Sequence, residues 1–353
     1  MSNKIIKAVL CLALLGVTLG AQAKLAGKNV ILVHGFRSTD LNDYPNDSQL
    51  QSLATQYWSA FWGSRAEAKI YWSSADRISG GVKDKVKAQF TAIQNSGLCT
   101  AGCVMVTHST GDLVARYALK NLSAWGIDKT KFKILAVLDM AGAGGGTEIA
   151  DVAIAVSEGS GLVNSAQRWA IQQFMGFTPK QGQMGVLTDL QPNNARNLAV
   201  GNDVYPRLRF VGTGSQYAGV TKPFILGSDD AVVPLHSACG ASTKGAYDSC
   251  SKTVANNGEV KSISAAPSSL WYNHYVVLMG EKTSHGGAIN NDTGSEMTTV
   301  TNNTTKGGIN LDFATTTESK WWSLGKQVRW VKYSGNWASK YSMSNVVYGT
   351  LNN

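Results

Sequence analysis

A short apolar run that leads into a serine, a glycine and a helical pattern constrains the fold of this chain most strongly. Residues 104–106 (VMV) have the character of a buried strand, and residues 107–111 (THSTG) follow directly. Apolar positions from Leu113 to Ala118 then recur at helical spacing. A strand that turns sharply into a helix exposes the serine at the strand end. The pattern predicts that Ser109 is a nucleophile, with an ordinary helix-capping serine as the alternative.

Apolar runs alternate with helical patterns along most of the chain. The runs that indicate buried strands are residues 29–33, 69–72, 104–106, 134–140, 207–211 and 275–279. This alternation predicts an α/β protein with a mostly parallel, doubly wound sheet over residues 24–353. Residues 142–206 exceed what a minimal sheet needs and contain two helical stretches. We expect them to form a helical cap insertion over a substrate pocket.

The first 23 residues are predicted to be a signal peptide. Lys4 and Lys7 precede an apolar stretch at residues 8–20, and residues 21–23 (AQA) offer a small-residue cleavage site. The stretch is too short to span a bilayer together with its flanks, although an uncleaved anchor is the alternative. We therefore expect a secreted or periplasmic protein, cleaved near Ala23.

Four cysteines follow the predicted cleavage site, and an even number in an exported protein predicts disulfides. The spacing suggests the pairs Cys99–Cys103 and Cys239–Cys250, although sequence alone does not determine the connectivity. No histidine lies at zinc-ligand spacing from either pair, so we expect no metal site and no cofactor.

The charge pattern gives no support to nucleic-acid binding. The net charge is +9, from 32 basic and 23 acidic residues. This modest surplus is spread along the sequence rather than clustered among aromatic residues. No obligate protein partner is evident either.

Residues 34–36 (HGF), directly after the first buried strand, are a second candidate part of a site. Acyl transfer creates an oxyanion, which fixed backbone N–H groups must stabilise. In a fold with this turn, one donor follows the nucleophile and the other lies after an early strand. We therefore predict an oxyanion hole formed by the N–H groups of Phe36 and Thr110. His34 and His108 are predicted to be structural, with the His108 side chain pointing away from Ser109.

A triad also needs a carboxylate that orients a histidine. Residues 227–234 (GSDDAVVP) follow the 207–211 strand and offer Asp229 and Asp230. Asp139, at the end of the preceding strand, is a less favoured acid.

The base should follow the last strand. His285 does so in a loop of small residues, whereas His274 precedes that strand and would lie at the opposite end of the sheet. His236 follows the acid loop too closely to serve easily. We therefore favour His285 on geometry.

These motifs, at residues 33–36, 107–111, 230–234 and 284–286, together resemble those of secreted bacterial lipases and esterases of the α/β-hydrolase superfamily. The resemblance covers roughly residues 29–287 and favours Asp230 over Asp229, because the run Asp-x-x-Val-Pro is similar to the acid loop of many α/β-hydrolases. Thr107 stands where most such enzymes have glycine.

The resemblance implies ester hydrolysis through an acyl-enzyme, with Ser109, Asp230 and His285 as the triad. A lipase is favoured over a short-chain esterase, and transient contact with lipid interfaces would accompany it. Apolar residues of the cap then suggest an acyl-chain pocket, with the cap's own core as the alternative: Trp169, Ile171, Phe174, Met175 and Phe177. Acyl transfer, thioester cleavage, polyester depolymerisation or a non-catalytic binding role on the same fold are alternatives, because fold alone does not decide them.

The segment after His285 matches no known pattern. Trp321, Leu324, Val328 and Val331 are spaced as one face of a helix, which predicts a C-terminal helix packed on the sheet.

Overall fold

The structure is a computed structural model that describes most of the chain after the predicted signal peptide. The described residues are 24–161, 163–182, 184–198, 204–246, 270–280, 283–290, 297–299, 303–312, 315–319, 327–331 and 342–352. The predicted signal peptide (residues 1–23) and Cys250 lie outside them.

A seven-stranded sheet forms the centre, in the order β2-β1-β3-β4-β5-β6-β7. Its strands are β1 (Asn29–Val33), β2 (Ala68–Ile70), β3 (Cys103–His108), β4 (Ile134–Met140), β5 (Arg207–Gly212), β6 (His274–Gly280) and β7 (Met297–Thr299). The first six are parallel, and β7 pairs antiparallel with β6. Two hairpins follow, β8 (Asn303–Lys306) with β9 (Ile309–Asp312), and β10 (Thr315–Ser319) with β11 (Gln327–Val331).

The helices connect the strands and cover the sheet. They are α1 (Asp40–Asp43), α2 (Asp47–Tyr57), α3 (Ala60–Gly63), α4 (Lys83–Ser96), α5 (Thr110–Asn121), α6 (Glu148–Ser157), α7 (Ser165–Met175), α8 (Val186–Asp189), α9 (Pro192–Leu198), α10 (Leu235–Ala238) and α11 (Met343–Asn352). None of the described helices is long and apolar enough to cross a bilayer.

The continuous apolar runs form strands because both faces of the sheet are buried. Side chains alternate between the faces of a strand. In β1, Ile31 and Val33 therefore belong to one buried apolar cluster, and Val30 and Leu32 belong to another. A parallel sheet with helices on both faces satisfies this pattern. The strand order and the sharp turn after β3 define an α/β-hydrolase fold, as the sequence predicts.

Helices α6 to α9 lie in the insertion between β4 and β5, where the sequence predicts a cap. Helix α6 contacts both α7 and α8, and α8 contacts α9. Side chains of α6, α7 and α8 join the buried apolar cluster that also contains Leu113 of α5. The insertion is therefore packed on the main core.

The predicted C-terminal helix face is wrong where the structure describes it. Val328 and Val331 lie in β11, which pairs antiparallel with β10, and Val331 pairs with Thr315. Trp321 and Leu324 lie outside the described residues. Apolar residues three positions apart suit a helix, but β-branched residues such as valine also suit a strand. Pairing with β10 decides in favour of the strand. The C-terminal helix is α11, which buries Val346 and Val347.

The predicted Cys99–Cys103 disulfide is present and links the turn that follows α4 to the first residue of β3. Cys239 is buried and disulfide-bonded. Its predicted partner, Cys250, lies outside the described residues.

Candidate active site

Ser109 occupies a strained turn between β3 and α5. Its backbone has φ 56° and ψ −129°, in a region that residues other than glycine rarely occupy. Its side chain makes no capping hydrogen bond to α5, although the residue stands at the N-cap position. The side chain lines a pocket instead. The helix-capping alternative therefore does not account for this serine.

Two glycines allow the chain to approach this turn closely. A Cβ at Gly35 would overlap Tyr57 Oη and lie 2.5 Å from Ser109 Cβ. A Cβ at Gly111 would lie 2.6 Å from His34 O and closer still to Val33 O. The loop after β1 and the first turn of α5 thus contact each other through backbone atoms.

We expect replacement of Gly111 with alanine to destabilise the protein. The added methyl group meets backbone carbonyls at the end of β1, which cannot move aside as a flexible side chain would. Overpacking of this kind costs about 1–3 kcal/mol of unfolding free energy, measured by urea denaturation. Gly161→Ala is the matched control, because a Cβ at Gly161 meets nothing within 4 Å. Equal stability of the two variants would contradict the close approach.

Thr107 joins the turn to a buried network of charges. Its hydroxyl donates to Asp139 Oδ1 at 2.9 Å, and Asp139 Oδ2 pairs with Arg209 Nη1 at 2.5 Å. Asp112 of α5 bonds Arg207 at 2.6 Å and Arg209 at 3.1 Å. The network therefore links β3, β4, β5 and α5 beneath the turn. It gives a physical reason for threonine at a position where glycine is usual, because glycine has no donor for Asp139.

The acid loop presents one carboxylate oxygen to the predicted base. Asp230 Oδ1 accepts the N–H groups of Val232 at 3.0 Å and Val233 at 2.7 Å. Asp230 Oδ2 lies 2.8 Å from His285 Nδ1. The His285 N–H also donates to the Asp230 backbone carbonyl at 3.1 Å. The carboxylate is buried and its orientation is set by the turn that contains it.

The other candidate acids have different partners. Asp229 pairs with Lys222 at 3.2 Å and accepts the N–H of Ala231 at 2.7 Å. Asp139 belongs to the charge network with Arg209. Neither contacts His285 among the described hydrogen bonds and ion pairs, so the structure brings Asp230 alone of the three to this histidine.

The other candidate bases also lie elsewhere. His274 starts β6, and its Nδ1 lies 2.8 Å from Arg209 Nη2. His236 Nδ1 lies 3.0 Å from Arg196 Nη2. His285 follows the opposite end of β6 and lines the same pocket as Ser109.

The predicted oxyanion donors lie on the two segments that meet at Ser109. Thr110 is the first residue of α5, where an N–H group has no acceptor within the helix. Phe36 follows Gly35, whose backbone lies against Ser109. Among the described residues, neither backbone N–H donates to another protein group.

The histidine before the loop glycine is structural, as the sequence predicts. The His34 ring stacks on Trp72, with centroids 4.7 Å apart, and its Nδ1 lies 2.8 Å from Gly35 O. Burial lowers the pKa of His34 to about 3, so the ring is neutral at ordinary pH.

His108 differs from the sequence expectation that it points away from Ser109. It lines the same pocket and contacts both Tyr57 and His285. Tyr57 and Gln216 carry no feature in the sequence that marks them as site residues. Gln216 also lines the pocket, and its Oε1 accepts the N–H of Gly286 at 2.8 Å. No local signal separates such side chains from ordinary helix and loop residues.

The pocket around Ser109 has a volume of about 240 Å³ and is rich in aromatic side chains. Phe36 stacks on Phe174 of α7 at 6.0 Å between centroids, and Phe174 meets the edge of Tyr217 at 5.7 Å. Of the apolar cap residues that the sequence suggests for an acyl pocket, Phe174 lines it, whereas Trp169 is 51% exposed on the same helix.

No protein-family model and no curated protein matches the chain. Solved structures of bacterial lipases and esterases show distant similarity. The mature lipase of Bacillus licheniformis is 16% identical, over 60% of this chain and 79% of its own, with a TM-score of 0.41. The Staphylococcus hyicus lipase is 11% identical, over 76% of this chain and 89% of its own, with a TM-score of 0.39. A metagenomic carboxyl esterase is 15% identical, over 54% of this chain and 51% of its own, with a TM-score of 0.33. Similarity this distant says nothing about which substrate this chain binds.

Proposed function

We propose that the protein is a serine carboxylic ester hydrolase that acts through an acyl-enzyme. One observation carries the proposal: a carboxylate–histidine pair, Asp230 and His285, lines up 2.8 Å apart at the pocket that contains Ser109 in its strained turn. A base oriented by a buried carboxylate beside a serine is the arrangement that activates a hydroxyl for attack.

In the first half of the proposed reaction, Ser109 Oγ attacks the ester carbonyl carbon, and His285 Nε2 takes the hydroxyl proton. The carbonyl oxygen becomes an oxyanion that accepts the N–H groups of Phe36 and Thr110. The intermediate collapses, the bond to the alkoxy oxygen breaks, and His285 returns the proton to the departing alcohol. The acyl group is then held on Ser109 as an ester.

In the second half, water replaces the alcohol. The oxygen of a water molecule attacks the acyl carbon while His285 takes a proton from that water. The new oxyanion accepts hydrogen bonds from the same two N–H groups. The bond to Ser109 Oγ breaks, the serine recovers its proton, and the carboxylic acid leaves. Asp230 stabilises the imidazolium in both halves without accepting its proton.

Two substrate classes have support. The apolar cap and the resemblance to lipases favour a lipid ester, such as a triacylglycerol. The described pocket instead favours a short-chain ester, because its volume of about 240 Å³ is below the roughly 300–1,000 Å³ of typical small-molecule sites. A long chain would need to extend beyond the described pocket.

The acyl-chain profile tests the function and separates these classes. With p-nitrophenyl esters, we expect the acetate and butyrate to be hydrolysed at least about tenfold faster than the palmitate, since a chain that the pocket cannot hold moves the ester carbonyl away from Ser109. Phe174→Ala should shift the optimum to longer chains, because it enlarges the pocket. Trp169→Ala, on the same helix but outside the pocket lining, is the control. A palmitate optimum in the wild type would instead support a lipase, and no hydrolysis of any ester would refute the proposed function.

We also propose that the protein works outside the cytoplasm after removal of residues 1–23. The apolar stretch at residues 8–20 supports export, and the Cys99–Cys103 disulfide suits an oxidising compartment. N-terminal sequencing of protein recovered from the culture medium or periplasm should begin at Lys24.

A further inference from the structure

The two ring nitrogens of His108 have different partners. Tyr57 Oη lies 2.5 Å from Nδ1, and the backbone carbonyl of His285 lies 2.9 Å from Nε2. A carbonyl only accepts hydrogen bonds, so Nε2 carries the proton and Nδ1 accepts from the tyrosine hydroxyl. Burial, together with the nearby His285, lowers the pKa of His108 well below its ordinary value, which agrees with a neutral ring.

Tyr57 connects this histidine to the loop after β1. The space that a Gly35 Cβ would fill is occupied by the tyrosine hydroxyl oxygen, so this oxygen lies directly against the Gly35 backbone. Burial raises the pKa of Tyr57, so the hydroxyl remains a neutral donor. Tyr57 and His108 therefore bridge the loop that carries the predicted oxyanion donor Phe36 and the loop that carries His285.

The backbone of His285 is held on both sides. Its N–H donates to the carbonyl of Asp230 at 3.1 Å, and its C=O accepts from His108 Nε2 at 2.9 Å. The rings of His108 and His285 lie 4.6 Å apart between centroids. Each of these contacts restricts rotation of the His285 backbone and hence the direction in which its Nε2 points.

We infer that Tyr57 and His108 are positioning residues, which hold His285 and the loop that carries Phe36 in place beside Ser109. This inference rests on the proposed function for its effect on rate. Neither residue exchanges a proton with substrate; both act through the backbone of His285 and Gly35. A misplacement of the base by about 1 Å is enough to lower the rate by about 100-fold.

Three variants separate this role from simple packing. His108→Gln places an amide N–H near the position of ring Nε2 and can still donate to the His285 carbonyl. His108→Asn reaches only the position of ring Nδ1 and leaves that carbonyl without its donor. Tyr57→Phe removes the hydroxyl and keeps the ring.

We expect kcat for p-nitrophenyl butyrate to fall by about 10- to 100-fold in His108→Asn and Tyr57→Phe. His108→Gln keeps a donor for the His285 carbonyl but loses the acceptor for Tyr57, so its kcat should fall less than that of His108→Asn, and KM should change by less than about threefold in both His108 variants. The double variant with Tyr57→Phe and His108→Asn should lose no more than the worse single variant, because residues that act as one unit are not additive.

Amide hydrogen exchange at residues 285–288 provides a readout that does not need activity. Exchange should be faster than in wild type in His108→Asn and Tyr57→Phe, and slower in His108→Gln than in His108→Asn. If the wild type hydrolyses no ester but this exchange pattern holds, the proposed function fails and the positioning role stands. Wild-type kcat and exchange in all three variants, or an equal loss in His108→Gln and His108→Asn, would overturn the inference.

Discussion

Replacement of Ser109 with alanine is expected to lower kcat for p-nitrophenyl butyrate by about a million-fold, the loss typical of removing the nucleophile of a triad. Without Oγ no acyl-enzyme can form, and only slow attack by water, assisted by the oxyanion donors, would remain. The measurement is the initial rate at saturating ester, with protein corrected for any trace of wild type. A thermal melt should show that the variant is folded, since the substitution removes one oxygen from a pocket surface.

Ser123→Ala is a suitable control for this variant because Ser123 is exposed and lies outside the pocket. It should keep wild-type kcat and KM. Hydrolysis by Ser109→Ala within about tenfold of wild type would contradict a nucleophilic role for Ser109, given the roughly million-fold loss expected of a nucleophile. The pocket would then belong either to a binding protein or to an enzyme with a different nucleophile.

Replacement of Asp230 with asparagine is expected to lower kcat by about 10⁴-fold, as loss of the triad carboxylate does elsewhere. Asparagine keeps an oxygen for the N–H groups of Val232 and Val233, which Asp230 Oδ1 now accepts at 3.0 and 2.7 Å. It loses the negative charge beside His285 Nδ1. The imidazolium formed in each step would then lack its stabilising charge, and the ring would favour the wrong tautomer.

The neighbouring Asp229→Asn variant is the matched control for this prediction. Asp229 pairs with Lys222 near the surface of the same loop, and Lys222 is one-third exposed. We expect a change in kcat of less than about tenfold, because Asp229 pairs with Lys222 rather than with His285 and asparagine keeps an oxygen for the N–H of Ala231. The reverse order, with the larger loss in Asp229→Asn, would show that the carboxylate which orients His285 in solution is not Asp230.

The central sheet could be predicted because its signal is local. Each parallel strand is buried on both faces and therefore appears as a continuous apolar run, such as residues 29–33 and 134–140. The turn at Ser109 was also visible, since a strand, a serine, a small residue and a helix occur within a few positions. The fold class and the candidate nucleophile followed from these short patterns.

Other parts of the site depend on contacts between distant positions. Tyr57 and His108 are 51 residues apart, and His108 and His285 are 177 apart. No spacing rule connects such residues, so the sequence suggested a structural histidine that points away from the nucleophile. The same limit applies to β11, where pairing with β10 replaced the helix that the valine spacing predicted.

The cap illustrates a third difficulty. The sequence marks several apolar residues between β4 and β5 as candidates for an acyl pocket, but it does not show which of them turn inward. Phe174 lines the pocket through its contacts with Phe36 and Tyr217, whereas Trp169 faces solvent from the same helix. The two positions are five residues apart and therefore lie on different faces of α7, so the rotation of α7 against the sheet decides which of them turns inward.

Covalent labelling with a fluorophosphonate, followed by peptide mass spectrometry, tests the nucleophilic role of Ser109 most directly. The mature protein, residues 24–353, would be treated near neutral pH beside the Ser109→Ala variant. We predict one adduct on the peptide that contains Ser109, located to its hydroxyl, and no adduct in the variant. An unlabelled wild type, or equal labelling of both proteins at another residue, would contradict the assignment of Ser109 as an activated nucleophile.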